Sequence, residues 1–157
     1  MPASELNFEI EQFYYDYADC LDDGELERWP EFFTAACLYK IVPRENLERG
    51  LPLALMLCES RGMLEDRVAA LRRTSVYAPR ALRHLVTNVR IKEERTEGIR
   101  SQANYVVMQT LVDDETRVFN VGRYLDLVVR EEGRLKFKER LCVFDSLVVP
   151  GSLIYPL

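Results

Sequence analysis

The clearest potential for acid–base chemistry in this chain lies in Tyr14, Asp16 and His84, with Tyr17 and Asp19 close by in the sequence. A phenol, a carboxylate and an imidazole in one pocket can abstract a proton beside a carbonyl group or dehydrate a carbonyl compound. A simpler interpretation places Tyr14 and Tyr17 in the core of an amphipathic helix and leaves both aspartates in water. The sequence favours the simpler interpretation.

His84 is the single histidine of the 157 residues, and it too has two interpretations. As a general base it needs a pocket and a nearby acid. As a structural residue it needs only hydrogen-bond partners across a sheet or an interface. Its sequence neighbours Arg80, Arg83 and Arg90 disfavour a protonated imidazole, so the structural role is favoured.

One histidine also excludes several metal centres within this chain. A Rieske cluster needs two histidines and two cysteines, and a two-histidine-one-carboxylate iron site or a His-rich zinc site needs more than one imidazole. The four cysteines, at positions 20, 37, 58 and 142, form no CxxC pair. We therefore expect buried thiols in a reducing compartment and no cofactor in this chain.

Other recognisable active-site patterns are missing from the sequence. Asp22 and Asp23 are adjacent on a predicted turn, where their side chains point apart, and helix capping is the expected role. There is no glycine-rich phosphate loop and no Gly-x-Ser-x-Gly motif. Residue chemistry alone therefore indicates no convincing active site.

Composition indicates a soluble, single-domain protein spanning residues 1–157. Hydrophobic residues make up 48% of the chain and charged residues 30%, which is ordinary for a globular domain. No apolar run is long enough to span a bilayer, and the first residues do not resemble a secretory signal, so we expect a cytoplasmic protein and no membrane partner. The net charge of −5 argues against nucleic-acid binding.

The charge is unevenly distributed along the chain. Residues 1–60 carry 13 acids and 4 bases (net −9), residues 61–100 carry 5 acids and 10 bases (net +5), and the remainder carries 8 acids and 7 bases (net −1). The basic stretch is either a solvated face or one side of a charge-complementary contact between subunits.

Hydrophobic periodicity predicts helices first and strands afterwards. Apolar residues spaced three and four apart predict helices over residues 6–21 and 63–73, with a further helical stretch over 25–33 that Pro30 interrupts. Residues 37–42 alternate like a strand, and residues 44–50 are polar and predict a loop. Residues 53–58 form a short apolar run that is either a strand or a buried helix.

The second half of the chain is rich in β-branched and aromatic residues. It predicts four long strands over residues 82–93, 99–112, 117–130 and 134–148, joined by short polar turns that favour antiparallel hairpins. Gly122 interrupts the third of these strands, where a glycine commonly marks a bulge or bend. We expect an α+β fold in which N-terminal helices pack on a strongly curved, mostly antiparallel sheet to make a cone.

These segments, taken in order, resemble the small (beta) subunit of aromatic-ring-hydroxylating Rieske oxygenases. The resemblance covers nearly the whole chain and rests on the following pieces: the tyrosine-rich helix ending Leu21-Asp22-Asp23, Trp29-Pro30-Glu31-Phe32-Phe33, Met63-Leu64-Glu65-Asp66-Arg67-Val68, Pro79-Arg80, Arg83-His84-Leu85-Val86-Thr87-Asn88-Val89, Asn104-Tyr105-Val106-Val107, Gly122-Arg123-Tyr124-Leu125-Asp126 and Leu135-Lys136-Phe137-Lys138-Glu139-Arg140. The pattern looks most like small subunits of oxygenases that act on aromatic carboxylates, such as salicylate 5-hydroxylase and terephthalate dioxygenase.

The resemblance implies the cystatin-like fold of the nuclear transport factor 2 superfamily and a structural role within an oxidoreductase. It implies that a large (alpha) subunit carries the Rieske [2Fe–2S] cluster and the mononuclear iron, that three small subunits form a trimer within an α3β3 hexamer, and that a ferredoxin and reductase supply electrons. It implies no catalytic, cofactor-binding or metal-binding residue in this chain.

Subunit contacts are then expected at the densest part of the resemblance and at the apolar tail, whose residues are too apolar to be left in water. The tail should dock on a neighbouring subunit or on this chain's own sheet. The expected interface residues are Arg80, Arg83, His84, Asn88, Leu153, Ile154, Tyr155 and Leu157. The alternative is a stand-alone lyase or isomerase of the same fold, or a small-ligand binding module, that uses Tyr14, Asp16 and His84.

Overall fold

The computed structural model describes residues 3–73, 79–146, 148, 153 and 155–157; Ile154 of the expected interface set lies outside the described residues. In the described part of the chain, three α-helices and six strands follow one another, with a 3-10 helix after the first α-helix. Their bounds are α1 Ala3–Asp22, the 3-10 helix Trp29–Phe32, β1 Phe33–Pro43, α2 Arg44–Glu48, β2 Met56–Cys58, α3 Arg61–Arg73, β3 Arg80–Arg95, β4 Gly98–Leu111, β5 Arg117–Glu131 and β6 Arg134–Phe144.

The six strands form one sheet in the order β2-β1-β6-β5-β4-β3. Strands β3 to β6 are successive antiparallel neighbours, whereas β1 lies parallel to β6 and antiparallel to the short edge strand β2. The predicted α+β class with a mostly antiparallel sheet is therefore confirmed. Because β1 pairs in parallel with β6, the strand from the helical half of the chain lies beside the last strand of the hairpin series.

Short turns set the register of the long hairpins. The β5–β6 turn holds Glu132 and Gly133 at φ values of 51° and 77°, the left-handed pair that matches the twist of a two-residue hairpin. In β3–β4, Arg95 pairs with Gly98 across an equally short turn. Both turns fall at the polar segments that the sequence indicated.

Helix α1 closes the concave side of the sheet. Its buried residues include Ile10, Phe13, Tyr14 and Tyr17, and the Tyr14 hydroxyl reaches Ser101 on β4 at 3.0 Å. The inward residues of β4, β5 and β6 complete one aromatic core around this helix. Helix and sheet together make the cone whose interior is described below.

Three local predictions need correction. Residues 25–33 form turns and the 3-10 helix instead of an α-helix, with Pro30 in the first turn, where a missing N–H costs least. Residues 44–50 contain the short helix α2 where a loop was expected. Strand β6 ends at Phe144, four residues before the predicted end.

Gly122 serves close packing more than it marks a bulge. A β-carbon there would lie 2.1 Å from the Val143 carbonyl oxygen and 2.8 Å from the Tyr105 hydroxyl. The register breaks that involve β5 lie elsewhere. In the pairing of β5 with β4, the break falls between Val107 and Met108 of β4. In the pairing of β5 with β6, it falls between Leu127 and Val128 of β5. Gly122 therefore lets a neighbouring strand and a core tyrosine approach the backbone.

Candidate functional site

The most unusual feature of the cone interior is a fully buried ion pair. Asp126 on β5 and Arg140 on β6 are directly opposite each other in the antiparallel register. The Arg140 guanidinium donates from Nε to Oδ1 at 3.1 Å and from Nη2 to Oδ2 at 2.9 Å, and neither side chain is exposed. Burial raises the pKa of Asp126, and the guanidinium opposes that rise. Such a two-point pair fixes both side chains in one geometry.

Aromatic rings enclose the cation of this pair. The central guanidinium carbon of Arg140 lies 3.9 Å from the ring centroids of Tyr124 and Phe137, 4.1 Å from that of Tyr17 and 4.9 Å from that of Tyr14. Attraction between a cation and the ring faces offsets part of the cost of removing the charge from water. These rings and the ion pair occupy the space in which a cone-shaped enzyme would hold a substrate.

Tyr14 belongs to this packed centre. Its hydroxyl donates to Asp126 and also contacts Ser101, and burial raises the pKa of the phenol well above its ordinary value. Asp16, two residues along α1, is exposed on the opposite side of the helix. The two groups proposed for acid–base chemistry therefore do not meet.

His84 lies on β3 with its imidazole fully buried, and its partner is Asp22 at the end of α1. The Asp22 carboxylate accepts from the backbone N–H of His84 at 3.0 and 2.9 Å and contacts Nδ1 at 2.6 Å. The expectation that Asp22 caps a helix was wrong, because its carboxylate is directed across to β3. Strand alternation puts Arg83 on the outer face, so it does not share the surroundings of the imidazole.

The interface residues expected from sequence divide into two groups. Arg83 and Asn88 are exposed, and Arg80, Leu153 and Tyr155 are half-buried. His84 and Leu157 are 8% and 1% exposed, so both are interior residues of this chain. Leu157 therefore packs within its own chain, which is one of the two docking places expected for the apolar tail, because the tail end enters the cone.

Asn88 has a local structural reason for its identity. Its φ of 54° places it in the left-handed region, where asparagine is one of the few tolerated side chains. It lies at the register break between Thr87 and Arg90 in the pairing of β3 with β4. The residue therefore makes a bulge that bends β3.

A broad groove of about 920 Å³ lies outside the cone, between α1, the 3-10 helix, α3 and the β5–β6 turn. Asp16 and Asp19 line it together with Arg28 and Arg61. The uneven charge of the sequence is partly neutralised nearby, since Arg72 of α3 contacts Glu27 at 2.7 Å. The acidic first third and the basic middle of the chain thus meet within one molecule.

Metal-binding chemistry finds no support in the described part of the chain. No group of three or more His, Cys, Asp or Glu side chains there is arranged to hold an ion. All four cysteines are buried free thiols, and burial raises the pKa of Cys142 to about 12. Within the described residues, no helix is both long and apolar enough to cross a bilayer.

The sequence pattern does not predict the Asp126–Arg140 pair, although both residues lie in segments that carry the family resemblance. One signal was available: Asp126 occupies an inward position between Tyr124 and Val128, where a carboxylate requires a partner. Only the register of β5 and β6 identifies that partner as Arg140.

Comparison with known proteins identifies the family. The model of the ring hydroxylating beta subunit family matches residues 17–151, and the chain belongs to that family. It is 39% identical over 150 residues to the anthranilate 1,2-dioxygenase small subunit of Burkholderia cepacia, covering 96% of this chain and 93% of that one. It is 32% identical over 149 residues to the terephthalate 1,2-dioxygenase terminal oxygenase component subunit beta 1 of Comamonas sp, covering 95% and 97%.

The fold agrees with this assignment. A solved beta subunit of a proposed aromatic-ring-hydroxylating dioxygenase from Novosphingobium aromaticivorans superimposes with a TM-score of 0.91, with 39% identity and full coverage of both chains. The predicted α+β cone, with helices packed on a curved, mostly antiparallel sheet, is confirmed, as is the resemblance to the beta subunit family on which it was based.

Proposed function

We propose that this chain is a structural, non-catalytic small subunit of a multicomponent oxygenase that hydroxylates an aromatic carboxylate. The observation that carries the structural role is the filled cone, where Asp126, Arg140 and their aromatic neighbours occupy the interior. A subunit whose own pocket is packed contributes shape and contact surface to its complex. The names of the relatives support the substrate class, since anthranilate and terephthalate are both aromatic carboxylates.

The proposed assembly is an α3β3 hexamer built on a trimer of this chain. The large subunit is proposed to hold the Rieske cluster and the mononuclear iron, with electrons supplied by a ferredoxin and a reductase. Four buried thiols are consistent with a reducing cytoplasm as the place of action. The single core that joins α1 to the strands supports treating the chain as one domain.

A surface suited to self-association lies on the outer face of the sheet. Leu85, Val106 and Val121 are direct neighbours across β3, β4 and β5, and the adjacent row brings Met108 beside Val118. Leu85 is 47% exposed and Val118 55% exposed in the isolated chain. We call these five residues the outer sheet patch. Its proposed occupant is a second copy, because such a patch on a small domain usually marks a protein contact.

Co-expression with the proposed large subunit tests the proposed function. We expect a complex whose light-scattering mass corresponds to three copies of each chain, with iron and hydroxylation of an aromatic carboxylate present only when the large subunit is included. Iron in about a one-to-one ratio with the small subunit alone, or catalysis by it alone, would contradict the proposal.

Leu85→Glu tests the outer sheet patch, with Leu57→Glu as its matched control. Leu57 is similarly exposed, at 44%, but lies on the edge strand β2. A buried carboxylate without a partner is costly, so Leu85→Glu should shift the isolated chain from trimer to monomer. A trimer that persists in Leu85→Glu and is lost in Leu57→Glu would move the interface to the edge strand.

A further inference from the structure

Leu157 is held inside the cone by its backbone atoms as well as by its side chain. Its carbonyl oxygen accepts from the Tyr17 hydroxyl at 2.8 Å and from the Tyr39 hydroxyl at 3.2 Å. Its backbone N–H donates to the Tyr39 hydroxyl at 2.9 Å. Two phenols thus bind both the backbone N–H and the backbone oxygen of one residue, Leu157.

We call the Tyr17 and Tyr39 hydroxyls that hold Leu157 the clamp. Neighbouring groups orient these hydroxyls. The Trp29 indole N–H donates to the Tyr17 hydroxyl at 3.0 Å, which leaves the Tyr17 proton free to point at Leu157. The Cys142 thiol lies 3.5 Å from the same carbonyl oxygen. These groups come from β1, β6, α1 and the 3-10 helix, so four separate elements of the fold supply the clamp and the groups that orient it.

The rest of the tail fits an apolar lining. Leu157 is 1% exposed, Pro156 is buried, and Tyr155 packs against the core with the Arg80 guanidinium 5.9 Å from its ring. The hydroxyl of Tyr124, opposite Cys142 in the β5–β6 register, is buried without a hydrogen-bond partner among the described residues. The wall of the pocket therefore contains a hydroxyl group, that of Tyr124, to which the tail makes no hydrogen bond.

We propose that the clamp formed by Tyr17 and Tyr39 inside the cone is a binding site for a short apolar peptide of the Tyr-Pro-Leu type, and that the chain's own tail is its ligand. The pocket recognises a peptide N–H and C=O through Tyr39 and Tyr17 and a branched aliphatic side chain through its aromatic lining. Removal of the tail exposes a preformed site that takes the same sequence from a separate peptide.

Removal of Pro156 and Leu157 by truncation after Tyr155, followed by addition of acetyl-Tyr-Pro-Leu, tests the proposal. Loss of a buried leucine should lower the melting temperature by about 5–15 °C. The peptide should restore most of that loss in a saturable way, because a ligand that binds only the folded chain stabilises it. Trp29, the single tryptophan, reports directly on occupancy through its indole N–H resonance and fluorescence.

Two controls separate specific binding from general stabilisation. Acetyl-Tyr-Pro-Gly has the same backbone without the aliphatic side chain, and it should restore little. The full-length chain should not respond to acetyl-Tyr-Pro-Leu, because its site is already filled. Equal stabilisation of both chains, or no response of the truncated chain, would overturn the proposal.

If the truncated chain does not fold, the Leu157→Ala variant replaces it. This variant retains the tail but binds it more weakly in the pocket. Acetyl-Tyr-Pro-Leu should then displace the altered tail and change the Trp29 signal, whereas the exposed-site variant Leu55→Ala should show no such change. A Leu157→Ala chain whose Trp29 signal is insensitive to the peptide would show that the tail is only a core element.

Discussion

The Asp22 carboxylate joins the end of α1 to the middle of the cone wall by contacting both the backbone N–H and the imidazole Nδ1 of His84. A carboxylate accepts hydrogen bonds but donates none, so the Nδ1 atom of His84 carries the proton of this contact. The second ring nitrogen is Nε2. Nε2 is buried without a hydrogen-bond partner among the described residues. The pair connects helix to sheet at a point where no acid–base partner was evident in the sequence.

We expect His84→Gln to leave hydroxylation by the assembled complex within about tenfold of the parent, because a structural contact lowers stability more than turnover. The variant should unfold about 1–3 kcal/mol more easily, since Asp22 loses its ring partner. Turnover by the intact complex and urea unfolding of the chain measure the two effects. Asp22→Asn is the companion variant. A thousandfold loss of turnover with the complex intact would restore His84 as a catalytic base.

The buried pair should show strong coupling in a double-mutant cycle. Arg140→Met leaves the Asp126 carboxylate buried without its cation and should cost about 3–5 kcal/mol in urea unfolding. Adding Asp126→Leu should recover part of that loss, since two apolar groups need no partner. The exposed pair of Arg100 and Glu139, 2.6 Å apart, is the control, and Arg100→Met should cost no more than about 1 kcal/mol. Strictly additive effects at the buried pair would contradict this account.

Gly122→Ala should destabilise the chain by at least about 3 kcal/mol, because the added methyl group meets backbone atoms of β6 that cannot move aside. Gly62→Ala is the control, since its β-carbon would find only ordinary contact in helix α3, where alanine is the better helix former. Thermal unfolding of both variants checks the contrast. A Gly122→Ala melting temperature equal to that of the parent would show that the strands can separate locally.

The folding stability of the chain should fall steeply as the pH rises in the alkaline range. Burial raises the pKa of Tyr14, Tyr17, Tyr39, Tyr105 and Tyr124 above 10.0 in the folded chain. Each of these phenols has a higher pKa in the folded chain than in the unfolded chain. Its contribution to the free energy of unfolding is therefore complete below the pKa of the unfolded chain. It is lost as the pH rises towards the pKa of the folded chain. Each such tyrosine then removes up to about 1.4 kcal/mol of stability per pH unit above pH ~10.

Absorbance at 295 nm and near-ultraviolet circular dichroism measure this alkaline transition together. The five buried phenols should ionise only as the tertiary signal disappears, and Tyr105→Phe should reduce the steepness by about one proton. Ionisation of all five in a chain that keeps its tertiary signal would show that the cone admits hydroxide.

The sequence by itself determined the class of fold, the order of its long helices and strands, and the family. Periodicity of 3.6 along residues 6–21 and long β-branched segments after residue 80 are local patterns, and local patterns follow from which face of each element must be buried. The single histidine and the scattered cysteines likewise indicated that no iron site belongs to this chain. These conclusions needed no knowledge of which residues meet.

Only the tertiary structure decided what fills the cone. Asp126 meets Arg140 because β5 and β6 pair in one particular register, and Asp22 meets His84 because α1 crosses the sheet at one angle. The apolar side chain of Leu157 needs cover, and the sequence left open whether another subunit or this chain itself supplies it. The cover lies inside its own chain, where Tyr17 and Tyr39, 140 and 118 residues earlier, hold its backbone. Contacts over such separations depend on how all the elements pack, and sequence periodicity carries no information about them.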